Sequence, residues 1–137
     1  MAGATALTGR VLSSNVERRG SIVVLSEFEL KKIEKSVGGL VSKRRPPVPM
    51  RKKLDLGYRI SGHSVEIFSI RPVWNNPEEY REHDVAKATY VKTQKVWKLY
   101  WQRQDLRWHS YEPKARCRTI EEVVAEVDAD PFGCFWG

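Results

Sequence analysis

The residues of this chain that are equipped for chemistry gather in two sets. The first lies in Val96 to Tyr111, VWKLYWQRQDLRWHSY, where Lys98 and Tyr100, then Arg107, His109 and Tyr111, recur at alternate positions either side of a short polar break. Cations interleaved with phenol rings suit a polyanion that carries flat bases. The rings stack on bases, and the cations displace the counterions of the phosphates. The second set is Asp55, Glu66 and Lys87, one residue from each of three alternating segments. Two carboxylates holding a divalent ion beside a charge-stabilising lysine could hydrolyse a phosphodiester. Cross-strand ion pairs account for the same three residues, and the close acid-x-lysine spacing of a metal-dependent nuclease is missing.

A third stretch, Lys43 to Lys53 (KRRPPVPMRKK), adds Arg44, Arg45, Arg51, Lys52 and Lys53 around three prolines. It reads as an extended basic connector, either stiffened for phosphate contact or simply a solvated link that ends one helix and positions the next strand. His109 has the chemistry of a general base, yet a lone histidine on a sheet face is more often structural. His63 and His83 fall in a turn and a loop, and no His or Cys spacing supports zinc. Cys117 and Cys134 are far apart and unpaired in pattern, so free thiols are expected. No phosphate-cradling glycine loop or nucleophile elbow occurs. The reading therefore includes no cofactor and no metal.

Stepping outward to the elements, Ser26 and Glu29 form a capping box, Leu25 and Leu30 a staple, and Leu30, Ile33, Val37, Leu40 and Val41 the apolar stripe of a first helix. Pro46 and Pro47 must end it by Arg45. Leu54–Ile60 and Ser64–Arg71 make a hairpin with Leu56, Tyr58, Val65 and Ile67 inward and Asp55, Arg59 and Glu66 outward. Phe68 and Ile70 share the outward side, so that side is not wholly open to water. Pro72–His83 reads as a long connection with a short helical turn capped by Asn76.

Val85–Thr93 alternates again. A tight turn at Thr93 and Gln94 would bring Ala86, Ala88 and Tyr90 against Trp101, Leu99 and Trp97, and Lys87 and Thr89 against Tyr100 and Lys98. If Gln102–Asp105 is then a four-residue loop, Trp101 faces Leu106, Leu99 faces Trp108 and Lys98 faces His109. Trp97, Leu99, Trp101, Leu106 and Trp108 would all point into the core, with Lys98, Tyr100, Arg107, His109 and Tyr111 left outside. A second helix opens at Thr119 with Glu122 completing its capping box, and carries Ile120, Val123, Val124 and Val127 inward. The terminal PFGCFWG is too apolar to stand in water and is expected to fold back.

Length and charge bound the whole. The 137 residues suit a single domain, residues 21–137, preceded by a flexible arm over residues 1–20. No segment has the length or apolarity of a membrane span or a secretory signal, so a soluble, intracellular protein is expected. The net charge of +7 is unevenly spread. Met1–Lys53 carries 12 basic and 4 acidic residues, Leu54–Arg118 12 and 8, and Thr119–Gly137 none and 5. A basic front and acidic rear favour an anionic partner, nucleic acid first, with an acidic protein surface as the alternative.

RRPP after the first helix, GYRISGHSVEIF, the IRP at Ile70–Pro72, VAKATYV, WKLYWQRQDLRWHSY and the terminal DPFGCFWG together make the chain resemble the small bacterial family catalogued as domain of unknown function 3024. The resemblance implies a bacterial cytoplasmic protein with no established activity and no catalytic residues to carry over. It also implies a carboxylate more often at the position of Ser69. The architecture expected is α+β: a mainly antiparallel sheet of about five strands with both helices on the tryptophan-bearing face. The function expected is a non-enzymatic nucleic-acid-binding module. A protein-interaction module, or a nuclease using Asp55, Glu66 and Lys87, is the alternative.

Overall fold

The structure, a computed structural model, describes residues 25–137. The arm expected over residues 1–20 lies outside them. Helix α1 (Glu27–Arg44) starts on the Ser26 capping box: the Ser26 hydroxyl accepts from the Glu29 N–H, and the Glu29 carboxylate accepts from the Ser26 N–H. It stops at Arg45, whose extended backbone precedes Pro46. Leu30, Ile33, Val37, Leu40 and Val41 are its buried residues. Gly38 lets the helix settle on the sheet, because a Cβ there would stand 3.3 Å from the Tyr58 hydroxyl.

Strands β1 (Asp55–Ser61), β2 (Ser64–Val73), β3 (Asn76–Val91) and β4 (Val96–Gln102) form an antiparallel meander in chain order. Two short strands, β5 (Trp108–Ser110) and β6 (Arg116–Cys117), both pair with β4 and share its far edge. Among the described residues the sheet thus has six strands in five positions. Helix α2 (Ile120–Ala129) follows, capped by the Thr119 hydroxyl, which accepts from the Glu122 N–H. The capping box is only half made: the Glu122 carboxylate turns to the Arg118 N–H instead.

Both helices lie on the inner face. Val37 of α1 and Val123, Val124 and Val127 of α2 close with Val65, Ile67, Ala86, Ala88 and Leu99 around a cavity of only about 10 Å³. Trp97 is buried there, and the β3–β4 register pairs Ala86 with Trp101, Ala88 with Leu99 and Tyr90 with Trp97, as the alternation predicts. The tail folds back. The Asp130 carboxylate accepts from the Phe135 and Trp136 N–H groups, and the Trp136 indole donates to the Val127 carbonyl.

Two expectations fail. Pro72–His83 is not a loop with a helical turn but the outer part of a long β2–β3 hairpin, turning at Trp74 and Asn75. The Asn76–Pro77 pair resembles a helix start, yet a wide irregularity between Pro72 and Val73 absorbs residues 77–79 within the strand. The second failure is the register of β5. Trp101 pairs with His109 and Gln102 with Trp108, because the loop spans the five residues Arg103–Arg107. That register differs from the expected one by three residues, an odd number, so every side chain after the loop changes face.

Candidate functional site

The outer face, away from the helices, has a closed end and an open end. At the closed end Phe68 and Ile70 are buried, the apolar exceptions noted in the sequence. The Arg59 guanidinium lies 4.3 Å from the Phe68 ring centroid and is held by an ion pair to Glu82. At the open end, strand register brings Glu66, Lys87, Tyr100 and Ser110 into one row and Thr89, Lys98 and Arg116 into the next. The Lys87 ammonium sits 6.0 Å from the Tyr100 centroid and 5.9 Å from that of Trp108. One cation thus bridges two half-exposed rings on adjacent strands. Among the described residues, no carboxylate lies within ion-pair distance of Lys87, Lys98 or Arg116.

The register shift divides the residues expected on this face. Lys87, Lys98 and Tyr100 are there. Tyr111 is not: it is fully buried on the helix side, 4.9 Å from the Phe135 ring, and its hydroxyl donates to Glu126 over 2.7 Å. Burial, and then the Glu126 carboxylate, push its phenol pKa well up. His109 shares the inward parity of Trp101 and bonds through Nε2 to the Asp105 carboxylate at 2.8 Å. The hydrogen bond with His109 and the Arg107 N–H hold that carboxyl below its ordinary range. Arg107 is exposed in the loop, with the parity of His109 rather than of Lys98. Trp108, expected in the core, and Leu106, 77 % exposed, are likewise misplaced by the four-residue loop.

The basic connector is mostly committed to structure. It is not extended throughout, since Val48–Met50 forms a 3-10 turn. Arg44 bonds the Asp128 carboxylate and carbonyl and stacks 4.4 Å from the Trp136 ring. Arg45 makes a two-pronged pair with Asp55 at 2.7 and 2.9 Å. Lys43 is exposed but paired with Asp128, and Arg51 donates to the Pro46 carbonyl, which leaves Lys52 and Lys53 as the exposed cations with no carboxylate partner among the described residues. Burial raises the Asp55 pKa, but the hydrogen bonds from Arg45 and the Leu56 N–H, with the nearby Arg51, outweigh it and leave a net lowering.

Asp55, Glu66 and Lys87 do not form one centre. Glu66 and Lys87 are directly opposed, whereas Asp55 is buried against Arg45 and lies four residues along β1 from Arg59, the partner of Glu66. That is about 13 Å of strand. Among the described residues no group of three His, Cys, Asp or Glu side chains is placed to share a metal ion.

Two contributors to the outer face escape sequence reasoning. Trp108 sits on the wrong side of the assumed register, and Arg116 belongs to a two-residue strand too short to show alternation. Buried Cys117 is the one signal for it, since a core thiol turns its neighbour outward.

The fold and this surface define a class: a small α+β domain whose meander sheet is sealed on one face by two helices and carries cations and rings on the other. Within that class, the model of the family described as a domain of unknown function (DUF3024) matches residues 25–137, and the chain belongs to that family. No curated protein and no solved structure matches the chain. No helix among the described residues is long and apolar enough to cross a membrane.

Proposed function

We propose that this chain is a non-enzymatic module that binds single-stranded nucleic acid across the open end of its outer sheet face, in the bacterial cytoplasm that the family resemblance implies. One observation carries the reading: Lys87 bridges the half-exposed rings of Tyr100 and Trp108, while Lys98 and Arg116 stand beside them with no carboxylate partner among the described residues. The rings offer stacking worth about 1–3 kcal/mol per base, tolerant of sequence. The three cations supply the counterion-releasing contacts to phosphate. Glu66, opposite Lys87, sets the boundary of the basic surface.

The test is fluorescence anisotropy of a labelled 12-nucleotide DNA and of its RNA counterpart at several salt concentrations. Binding should weaken steeply with salt and be lost in the Tyr100→Ala/Trp108→Ala double variant with its circular dichroism unchanged. Absent or salt-insensitive binding ends the reading. A second reading, a protein-interaction module, is favoured by Trp74, which is 91 % exposed at the tip of the β2–β3 hairpin. A stoichiometric protein partner that copurifies with the wild type and is lost in Trp74→Ala would select it.

A further inference from the structure

On the helix side of the β4–β5 edge lies a cleft of about 440 Å³ that the outer face does not use. Its walls are Trp101 of β4 and Phe132 of the tail, 66 % exposed, and Cys134 lies beside them. Arg103, His109 and Glu112 supply its charged and polar groups. The volume lies in the range of small-molecule sites, as does the combination of apolar walls with a few convergent polar groups. Three features indicate what it would hold. The Arg103 guanidinium lies 5.6 Å from the Trp101 ring centroid and, among the described residues, has no carboxylate within ion-pair distance. His109 is fixed by Asp105. The loop above the cleft holds Leu106 at φ 62°, a left-handed conformation unfavourable for leucine, with its side chain turned to water.

We infer that this cleft binds a nucleotide bearing a terminal phosphate: the base between Trp101 and Phe132, the phosphate on Arg103 with His109, and the base's amino edge toward the Glu112 carboxylate. Arginine suits this role because its planar fork pairs with phosphate oxygens while its face stays on an indole. The inference deepens the proposed function and rests on it for the source of the ligand. On edge strand β5, Trp108 faces outward and the next residue, His109, inward. A strand lying across Tyr100 and Trp108 needs only to turn over that edge to place its end in the cleft. A free mononucleotide offers the same chemistry, and the experiment separates the two sources.

The full chain is titrated with one oligonucleotide in three forms, 5′-phosphorylated, 3′-phosphorylated and unphosphorylated, and separately with guanosine monophosphate, by calorimetry and tryptophan fluorescence. One phosphorylated form should bind about tenfold tighter than the unphosphorylated form, the scale of one charge-assisted contact. Arg103→Ala should abolish that ratio and Phe132→Ala should lower it, because a base no longer clasped against Trp101 does not hold its phosphate in place on Arg103. Tyr100→Ala should weaken all three forms equally. Equal affinity of the three forms together with no response to millimolar guanosine monophosphate overturns the inference, as does a ratio unaltered by Phe132→Ala. If the oligonucleotides fail to bind but the mononucleotide binds and is lost in Phe132→Ala, the outer-face reading falls while the cleft stands with a free nucleotide as its ligand. Arg103 and Phe132 are both exposed, so circular dichroism should show these two variants folded.

Discussion

At the scale of single residues, the most consequential pair is Arg45–Asp55. It ties the end of α1 to the first residue of β1, with side chains 18 % and 6 % exposed. Removing one partner of such a pair leaves the other buried and unmatched, at a cost of about 3–5 kcal/mol in enclosed sites. Partial exposure of Arg45 puts Asp55→Ala at the low end of that range. The sign of the pH effect follows from the lowered Asp55 pKa. A carboxyl that is more acidic folded than unfolded stabilises the fold above its unfolded value of about 3.9, and that stability is lost as pH falls through the lower folded value. Urea midpoints should therefore decline below about pH 4 in the wild type, and decline less in Asp55→Asn, from a lower plateau. Equal acid sensitivity of the two proteins would show that Asp55 is not responsible. Asp130 is a second point of leverage. It adopts φ 42° at the end of α2 and its carboxylate takes both tail amides. Asp130→Asn keeps the conformational tolerance and one good acceptor and should cost about 1 kcal/mol; Asp130→Ala loses both and should cost about 2–3 kcal/mol. Hydrogen exchange at the Phe135 and Trp136 amides should accelerate in the same order, and unchanged exchange would place the tail's anchorage elsewhere.

At the scale of elements, the contrast between β4 and β5 explains what a reader of the sequence can and cannot see. The β3–β4 register is legible because small residues at 86 and 88 demand large partners, and Trp101 and Leu99 supply them in one register only. β5 has no such constraint. LRWHSY places an aromatic or aliphatic residue on both parities, so a four-residue and a five-residue loop look equally good until Tyr111 is seen to be fully buried. The outer β2–β3 hairpin is hidden for a different reason. Beyond the helices both of its faces meet water, and polar residues such as Glu78, Glu79 and Arg81 erase the alternation that marks a half-buried strand. The helices, with their caps and stripes, are visible almost to the residue. Half of the outer-face site followed from β3 and β4, and the half supplied by β5 and β6 did not. The β4–β5 loop also yields a stability prediction. Leu106 incurs about 1 kcal/mol in its left-handed conformation and has little packing to lose. Leu106→Gly should therefore raise the unfolding free energy by up to about 1 kcal/mol. A drop in thermal midpoint would mean that the exposed leucine makes a contact worth more than its strain.

At the scale of the whole molecule, charge organisation decides which cations remain for a ligand. The basic front of the sequence does not become a uniformly basic surface, because the acidic rear folds against it: Lys43 and Arg44 of α1 both pair with Asp128 of α2, and Lys32 approaches Glu121. Paired in this way, Lys32, Lys43 and Arg44 are withdrawn from a ligand, whereas Lys87, Lys98 and Arg116 on the opposite side of the sheet have no carboxylate within ion-pair distance among the described residues. The prediction is quantitative in salt rather than in affinity alone. Each phosphate contact removed lowers the slope of log K against log[salt] by about 1 for duplex DNA and somewhat less for single strands. Lys98→Ala and Arg116→Ala should each flatten the slope by slightly under one unit, and together by nearly twice that if the two side chains, which stand on adjacent strands, contact different phosphates. Arg44→Ala should leave the slope unchanged while lowering stability, since it loses Asp128 and the Trp136 ring. Tyr100→Ala should weaken binding at every salt concentration without altering the slope, as an uncharged stacking contact releases no counterion. A slope that responds to Arg44 and ignores Lys98 and Arg116 would move the contact surface from the sheet to the helices.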